Sequence, residues 1–122
     1  MGNFKDYTDL DVWRESRNLV KDVYILTQNF PKEEVYGLSN QIKRAAISIP
    51  SNIAEGCGRN HIKDAMQFFY ISRGSIFELE TQLYLAFDLN FITNDELNSM
   101  LEKIKTCKKL INGFINYNKK KL

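Results

Sequence analysis

The amino-acid sequence predicts an all-α protein folded as an up-down-up-down four-helix bundle. Apolar residues recur at steps of three and four along nearly the whole chain of 122 residues, which is the period of an amphipathic helix. Only two prolines and six glycines are present, too few for the many turns of a β-sandwich or barrel. Short links separate the helical segments, and short links make consecutive helices antiparallel neighbours in a bundle.

Length and composition indicate one soluble domain over residues 1–122. Hydrophobic residues make up 43% of the chain and charged residues 26%, the balance of an ordinary globular protein. A chain of this length buries a core without disulfides or metal ions. No stretch approaches the roughly 20 apolar residues of a membrane span, and the first residues lack the apolar segment of a signal peptide. We therefore expect a cytoplasmic protein with no membrane partner.

The first helix is predicted over residues 9–29, where apolar residues form one continuous stripe. Thr8 and Asp11 have the spacing of a capping box at its start. Phe30 and Pro31 end the helix, because the residue before a proline is disfavoured in the helical conformation.

The second helix is predicted over residues 32–56. Pro50 lies inside it and removes one backbone donor, so we expect a kink near residues 46–50. Gly56 and Gly58 stop the helix and open a short linker.

The third helix is predicted over residues 61–89, with Asn60 as its cap. Of the 28 residues from Ala65 to Ile92, 17 are aliphatic, aromatic or methionine. A helix that is apolar nearly all round has to be buried nearly all round. Because a bundle of this size cannot cover such a helix alone, the excess predicts a homo-oligomer. Gly74 and Ser75 form a notch of small residues at which another helix can approach.

The fourth helix is predicted over residues 94–117 and is followed by a lysine-rich tail. Thr93 and Glu96 have the spacing of a capping box at its start. This start signal and the amphipathic stripe that follows it predict the helix independently of each other.

No catalytic or metal-binding constellation is apparent in the sequence. Carboxylate-bridged metal pairs in helical bundles need Glu-x-x-His on two helices, but the only histidine is His61, and Gly58 stands three residues before it. No glycine-rich phosphate loop follows a strand, and no nucleophile-elbow motif occurs. Cys57 and Cys107 are too few for a thiolate metal site. We expect a protein without enzymatic activity, cofactor or metal ion.

Polar residues form a stripe on the second helix and a shorter stripe on the third. Steps of three and four place each set on one helix face. Three interpretations stay open: a solvated face, a ligand site, or a buried or inter-subunit hydrogen-bond network in which Arg44 pairs with Glu55 or Glu78. Together with Pro50 and Gly74, we assign a structural or oligomer role to Gln41, Ser48, Asn52, Glu55, Ser75, Glu78 and Gln82.

Positive charge is concentrated in the fourth helix and its tail. The net charge of the chain is only +2, but residues 103–122 hold seven lysines and no acid. Lysines act as point charges that contact phosphate without reading bases. The alternative is a solvated helix surface. The predicted nucleic-acid contacts are Arg14, Arg17, Lys21, Arg44, Arg59, Lys105, Lys108, Lys109, Lys119, Lys120 and Lys121.

The sequence of the first three helices resembles a bacterial protein family. The resemblance covers about residues 4–92 and rests on Asp9-Leu10-Asp11-Val12-Trp13, Tyr36-Gly37-Leu38, Arg44-Ala45-Ala46, Ser48-Ile49-Pro50-Ser51-Asn52-Ile53-Ala54-Glu55-Gly56 and Arg73-Gly74-Ser75. These segments resemble the four-helix bundle proteins of the 23S rRNA intervening sequence, also called the S23 ribosomal protein family. They are also similar to accessory variability proteins of diversity-generating retroelements.

The resemblance implies a homopentameric barrel of four-helix bundles and a connection with nucleic acid. Family members are encoded within inserts in ribosomal RNA genes, and the retroelement relatives bind nucleic acid and a reverse transcriptase through basic surfaces. We therefore expect a non-enzymatic homo-oligomer that binds structured RNA or DNA through phosphate contacts. The alternative is a protein-interaction scaffold with no direct nucleic-acid role.

Overall fold

The computed structural model describes residues 6–122 and contains four α-helices, which form the four-helix bundle that the sequence predicts. The helices are α1 (Asp11–Thr27), α2 (Leu38–Cys57), α3 (Ile62–Asp88) and α4 (Asn94–Lys119), and short 3-10 helices span Tyr7–Asp9 and Lys32–Tyr36. Each helix packs against the next along the chain, and α4 also packs against α1. The ring of four is thereby closed. Residues 1–5 of the predicted domain lie outside the described residues.

The core lies between the four helices, each of which contributes one apolar stripe. No helix in the part of the chain that the structure describes is long and apolar enough to cross a bilayer. The largest fully buried side chains are Leu19, Val23, Ile42, Ile49, Ile53, Phe69, Ile76, Leu79, Leu83, Ile104, Ile111 and Ile115.

Two of the predicted helix caps are wrong. Thr8 lies in the first 3-10 helix, where Asp6 provides the cap, and α1 begins after Leu10 without a side-chain cap. His61, not Asn60, precedes α3, again without a side-chain cap. Leu10 and Ile62, at the starts of these two helices, both pack against the core.

The cap predicted for α4 is confirmed. Thr93 Oγ1 accepts a hydrogen bond from the Glu96 backbone N–H at 3.1 Å, and Glu96 Oε1 accepts one from the Thr93 backbone N–H at 2.8 Å. The helix therefore begins at the residue that the sequence pattern indicates.

The second helix begins later than predicted and passes through its proline. α2 starts at Leu38, whose backbone N–H donates to Glu34 Oε1 at 3.1 Å. It runs through Pro50 without interruption, and a kink there stays a prediction. Gly56 does not stop the helix: it is buried within α2, and Gly58 is the residue that caps the helix end.

The link between α3 and α4 turns at Asn90, which adopts the left-handed conformation with φ of 64°. The Asn90 N–H donates to the Phe87 carbonyl and the Phe91 N–H to the Ala86 carbonyl, each at 2.9 Å. These are the two bonds of a Schellman motif, which satisfies carbonyls at a helix end. The Phe91 ring then packs against Phe30, with 5.4 Å between ring centroids.

Candidate nucleic-acid interface

The outer face of α4 carries the largest group of predicted phosphate contacts that are available to solvent. Lys105, Lys109, Lys119 and Lys120 are exposed, and none forms an ion pair with another described residue. The sequence has no acid after Glu102, so α4 has no carboxylate within one turn of Lys109, Lys119 or Lys120. At the rise of an α-helix, this row of cations extends over roughly 20 Å.

Two other lysines of α4 are held by carboxylates of neighbouring helices. Lys108 Nζ donates to both carboxylate oxygens of Glu80 on α3, each at 2.8 Å. Lys103 Nζ lies 2.9 Å from Asp22 Oδ2 on α1. Both pairs connect α4 to its neighbours. We therefore leave Lys108 out of the candidate interface, because a phosphate would have to displace a partly buried partner that already makes two hydrogen bonds.

The end of the chain meets Arg59 at one end of the bundle. Lys121 and Arg59 line the same cleft, and the Lys121 ammonium lies 4.4 Å from the centroid of the Tyr117 ring. Arg59 lies 3.4 Å from Glu55 Oε1, with both side chains about half exposed. Exposed pairs of this kind contribute little free energy, so Arg59 can exchange its partner for a phosphate.

The predicted cations of α1 form a separate patch. Arg14 lies 3.5 Å from Asp9, while Arg17 and Lys21 are exposed and have no ion-pair partner among the residues that the structure describes. Carboxylates lie between this patch and α4, because Asp11 shares a groove with Lys109 and Asp22 bonds to Lys103. The structure therefore does not join the two sets of cations into one surface.

The polar stripes of α2 and α3 meet where these two helices pack. Ser48 Oγ accepts hydrogen bonds from Asn52 Nδ2 at 2.9 Å and from Ser75 Oγ at 2.8 Å. The buried Ser72 hydroxyl donates to the Ile49 carbonyl at 2.8 Å. For these residues the stripe is a hydrogen-bond network within the chain that connects α2 to α3.

Arg44 makes neither of the two ion pairs considered from the sequence. Glu55 pairs with Arg59, and Glu78 accepts a hydrogen bond from Gln82 Nε2 at 3.3 Å. Gln82 Oε1 is buried without a partner. Together with Gln41, Ala45 and Ser48, the side chains of Arg44 and Glu78 line an open cleft of about 370 Å³, and no lysine of α4 is among its lining residues.

Sequence reasoning missed an apolar groove between α1 and α2. Its volume is about 340 Å³, and Trp13, Arg17, Ile47 and Pro50 are among its lining residues. The ring of Tyr7 meets Trp13 edge to face, with centroids 5.3 Å apart. The spacing of Trp13 and Arg17, four residues apart on one helix face, was the available signal.

The two thiols are poor nucleophiles. Burial, with a smaller contribution from the charge of Asp6, raises the pKa of Cys57 to about 11. Burial and the charge of Glu15 raise the pKa of Cys107 to about 12. Since the thiolate is the reactive form of cysteine, both groups are almost fully unreactive at neutral pH. The described residues contain no group of three His, Cys, Asp or Glu side chains that could hold a metal ion.

Comparison with known proteins relates the chain to a protein family and to a solved structure of similar fold. The family described as 23S rRNA-intervening sequence protein matches residues 8–113. A crystal structure of a protein of unknown function from the S23 ribosomal protein family of Bacteroides thetaiotaomicron is similar, with a TM-score of 0.76 and 23% sequence identity over 85% of this chain and 97% of that chain. None of the curated proteins matches the sequence.

Proposed function

This chain belongs to the 23S rRNA-intervening sequence protein family, and we propose that it is a non-enzymatic homo-oligomer that binds structured RNA or DNA through phosphate contacts. The observation that carries the proposal is the outer face of α4. There Lys105, Lys109, Lys119 and Lys120 are exposed, and the sequence after Glu102 contains no acid. A polyanion is the partner that such a face fits best.

The chemistry of this face favours binding without sequence preference. Lysine ammonium groups contact phosphate oxygens as flexible point charges, and such contacts position a protein without reading bases. Lys105 and Lys109 can make these contacts without breaking an internal ion pair, because Lys103 and Lys108 are the α4 lysines that pair with carboxylates of neighbouring helices. Arg59 and Lys121 extend the candidate surface around the end of the bundle.

The proposal is tested by titrating the protein against a structured RNA and a duplex DNA at about 50 and 200 mM salt, where several phosphate contacts have a large effect. Each of the variants Lys105→Gln, Lys109→Gln, Lys119→Gln and Lys120→Gln should weaken binding to all sequences alike. Each should also lower the slope of log K against log salt by about 0.9 on duplex DNA.

The matched control is Lys32→Gln, which removes one exposed lysine from the short helix before α2. This variant should leave both the affinity and the salt slope unchanged. If the four α4 variants bind like the wild type, or if Lys32→Gln weakens binding as much as they do, the assignment of α4 as the phosphate-binding face is wrong.

The outer face of α3 supports the homo-oligomeric part of the proposal. Ile71, Phe77, Tyr84, Leu85 and Leu89 are each about half exposed on this helix. Large contiguous apolar patches on a soluble protein mark interaction surfaces. A second copy of the chain is the partner that we propose for this face, and a homopentamer is the assembly that the family resemblance implies.

The same apolar face favours a second candidate, a scaffold that recruits another protein and for which nucleic acid is incidental. Salt separates the two functions: phosphate binding weakens steeply as salt rises, whereas an apolar interface persists. The scaffold is favoured if this chain binds no nucleic acid at low salt and forms a complex with a partner protein that survives high salt.

A further inference from the structure

We propose that the groove between α1 and α2 binds an unpaired base of the nucleic acid, with the base against Trp13 and the adjoining phosphate beside Arg17. This inference rests on the proposed function and adds a second kind of contact to the phosphate contacts of α4. It assigns the groove to nucleobases, and it therefore predicts a preference for ligands with single-stranded segments.

The walls of the groove fit a flat aromatic ring. Trp13, Val20, Ile47, Pro50 and Ala54 supply apolar surface, and Ser51 supplies a hydroxyl. The volume of about 340 Å³ lies at the lower end of the roughly 300–1,000 Å³ that is usual for small-ligand pockets. Bases stack on aromatic side chains with little regard to sequence, because every base has a π-face.

The charge at the groove indicates that its ligand also carries a negative group. Among residues 6–122, Arg17 is the only charged residue that lines the groove, and its guanidinium lies 5.4 Å from the centroid of the Trp13 ring. No described carboxylate pairs with Arg17. A ligand with an aromatic ring and an adjoining anion, such as a nucleotide within a chain, satisfies both the apolar wall and the unpaired cation.

A second aromatic–cation pair continues the pattern along the same two helices. Lys43 of α2 lies with its ammonium 5.1 Å from the centroid of the Tyr24 ring of α1. Aromatic rings and positive charges therefore occur together at two places along the contact of α1 with α2, in the pairs Trp13–Arg17 and Tyr24–Lys43. Rings for bases and cations for the backbone are the combination found in surfaces that bind single-stranded nucleic acid.

A second copy of the chain is the other occupant to consider. The apolar face that we propose for self-association lies on α3, which packs against α2 and α4 but not against α1. The groove thus lies apart from that face, and a charged side chain forms part of its lining. Both features favour a nucleic-acid ligand over a second protomer.

Trp13 is the only tryptophan of the chain, so the tryptophan fluorescence of the unmodified protein reports on this groove alone. The probes are an RNA hairpin with a short single-stranded overhang and the same hairpin with abasic sugars in the overhang. We expect the first RNA to quench the fluorescence and the abasic RNA to leave it unchanged. The abasic RNA should bind about tenfold to a hundredfold more weakly, the range for loss of one stacked base.

Two variants separate stacking from folding. Trp13→Leu should bind the overhang RNA only as tightly as the wild type binds the abasic RNA. The variant and the wild type should bind the abasic RNA with equal affinity. Ser51→Glu places a carboxylate at the exposed rim of the groove and should weaken binding of the overhang RNA without affecting the core. Ser99→Glu, at an exposed position of α4, is the matched control and should have less effect than Ser51→Glu.

The outcomes distinguish this inference from the proposed function. Salt-dependent binding of both RNAs with equal affinity and constant fluorescence would overturn the groove assignment and leave the phosphate contacts intact. Absence of any RNA binding at low salt would overturn both. A Trp13 signal that changes with protein concentration in the absence of RNA would show that a second copy covers the groove, which also overturns the assignment.

Discussion

Gly56 has no room for a side chain, because the ring of Phe69 lies against it where α2 and α3 cross. A Cβ atom at this position would lie 2.5 Å from Phe69 Cε1 and 3.0 Å from the Ala65 carbonyl oxygen. Gly113 in α4 is its natural counterpart, since a Cβ atom there would meet nothing within 4 Å. Packing therefore excludes a side chain at Gly56 but not at Gly113.

Alanine substitutions at these two glycines should change stability in opposite directions. Gly56→Ala should lower the free energy of unfolding by about 2 kcal/mol, because the methyl group overpacks a tight helix contact. Gly113→Ala should raise it by about 0.5–1 kcal/mol, the usual gain of alanine over glycine inside a helix. Urea denaturation measures both. A stabilising Gly56→Ala would mean that Phe69 can move away at little cost.

Single residues are also where the sequence misleads most. Gly56 has the pattern of a helix stop, because a glycine at a helix end and a glycine at a close helix contact look the same in one dimension. Lys108 has the pattern of a surface lysine, but Glu80, which neutralises it, is 28 positions earlier in the chain. Arg44 lacks both partners considered for it, since side-chain pairing depends on geometry that helical spacing alone does not supply.

At the scale of the element, α4 is the helix whose start is specified by its own residues. Thr93 and Glu96 bond reciprocally, and each bond satisfies a backbone N–H group that has no carbonyl partner at the start of a helix. A second threonine, Thr106, lies on the exposed side of the same helix and donates only to the Glu102 carbonyl. The two threonines permit a matched comparison.

Thr93→Ala should lower the free energy of unfolding by about 1 kcal/mol, the usual cost of losing an N-cap side chain. Thr106→Ala should have no destabilising effect, because alanine has the higher helix propensity and no capping bond is lost. Thermal and urea unfolding of both variants provide the measurement. Equal losses for the two threonines would contradict the role of the capping box.

The sequence predicts all four helices because each shows a strong 3.6-residue period, but it predicts their ends less well. α2 starts six residues later than expected, at Leu38, because residues 32–36 form a separate 3-10 helix. The first and third helices begin where Leu10 and Ile62 reach the core. Neither start has a side-chain cap, so a search for cap residues in the sequence could not locate it.

At the scale of the whole molecule, Gly74 lies on α3 between the half-exposed side chains of Ile71 and Phe77. A Cβ atom at Gly74 would meet nothing within 4 Å of the same protomer. The small residue is therefore not required by the packing of the isolated bundle. In the proposed oligomer it would let a neighbouring protomer approach α3 closely.

Gly74→Leu should leave the folded bundle intact and disrupt the assembly. We expect normal helical circular dichroism together with a lower mass by light scattering after gel filtration. Gly113→Leu is the matched control, because Gly113 also lies in a helix with free space around it, and it should keep the wild-type mass. An unchanged mass for Gly74→Leu would exclude this part of α3 from any interface between copies.

The arrangement of charge over the molecule could be predicted only in part. The excess of lysine after Glu102 is visible in the sequence and marks α4 as the basic helix. The cations of α1 form a separate patch because Asp11 and Asp22 lie beside lysines of α4. This separation depends on which side of α1 faces α4, and the sequence does not show that side. The groove at Trp13 was missed for the same reason, since its second wall comes from α2.

The close contact of α2 with α3 has a consequence for how the chain reaches its fold. Residues 58–61 are the whole connection between these two helices, so the entropy lost on closing the loop is small. Ser48 and Ser75 are 27 positions apart, a smaller separation than that between any residue of α1 and any residue of α4, and folding is faster where contacting residues are closer in sequence. The α2–α3 hairpin can therefore assemble first and serve as the template on which α1 and α4 dock.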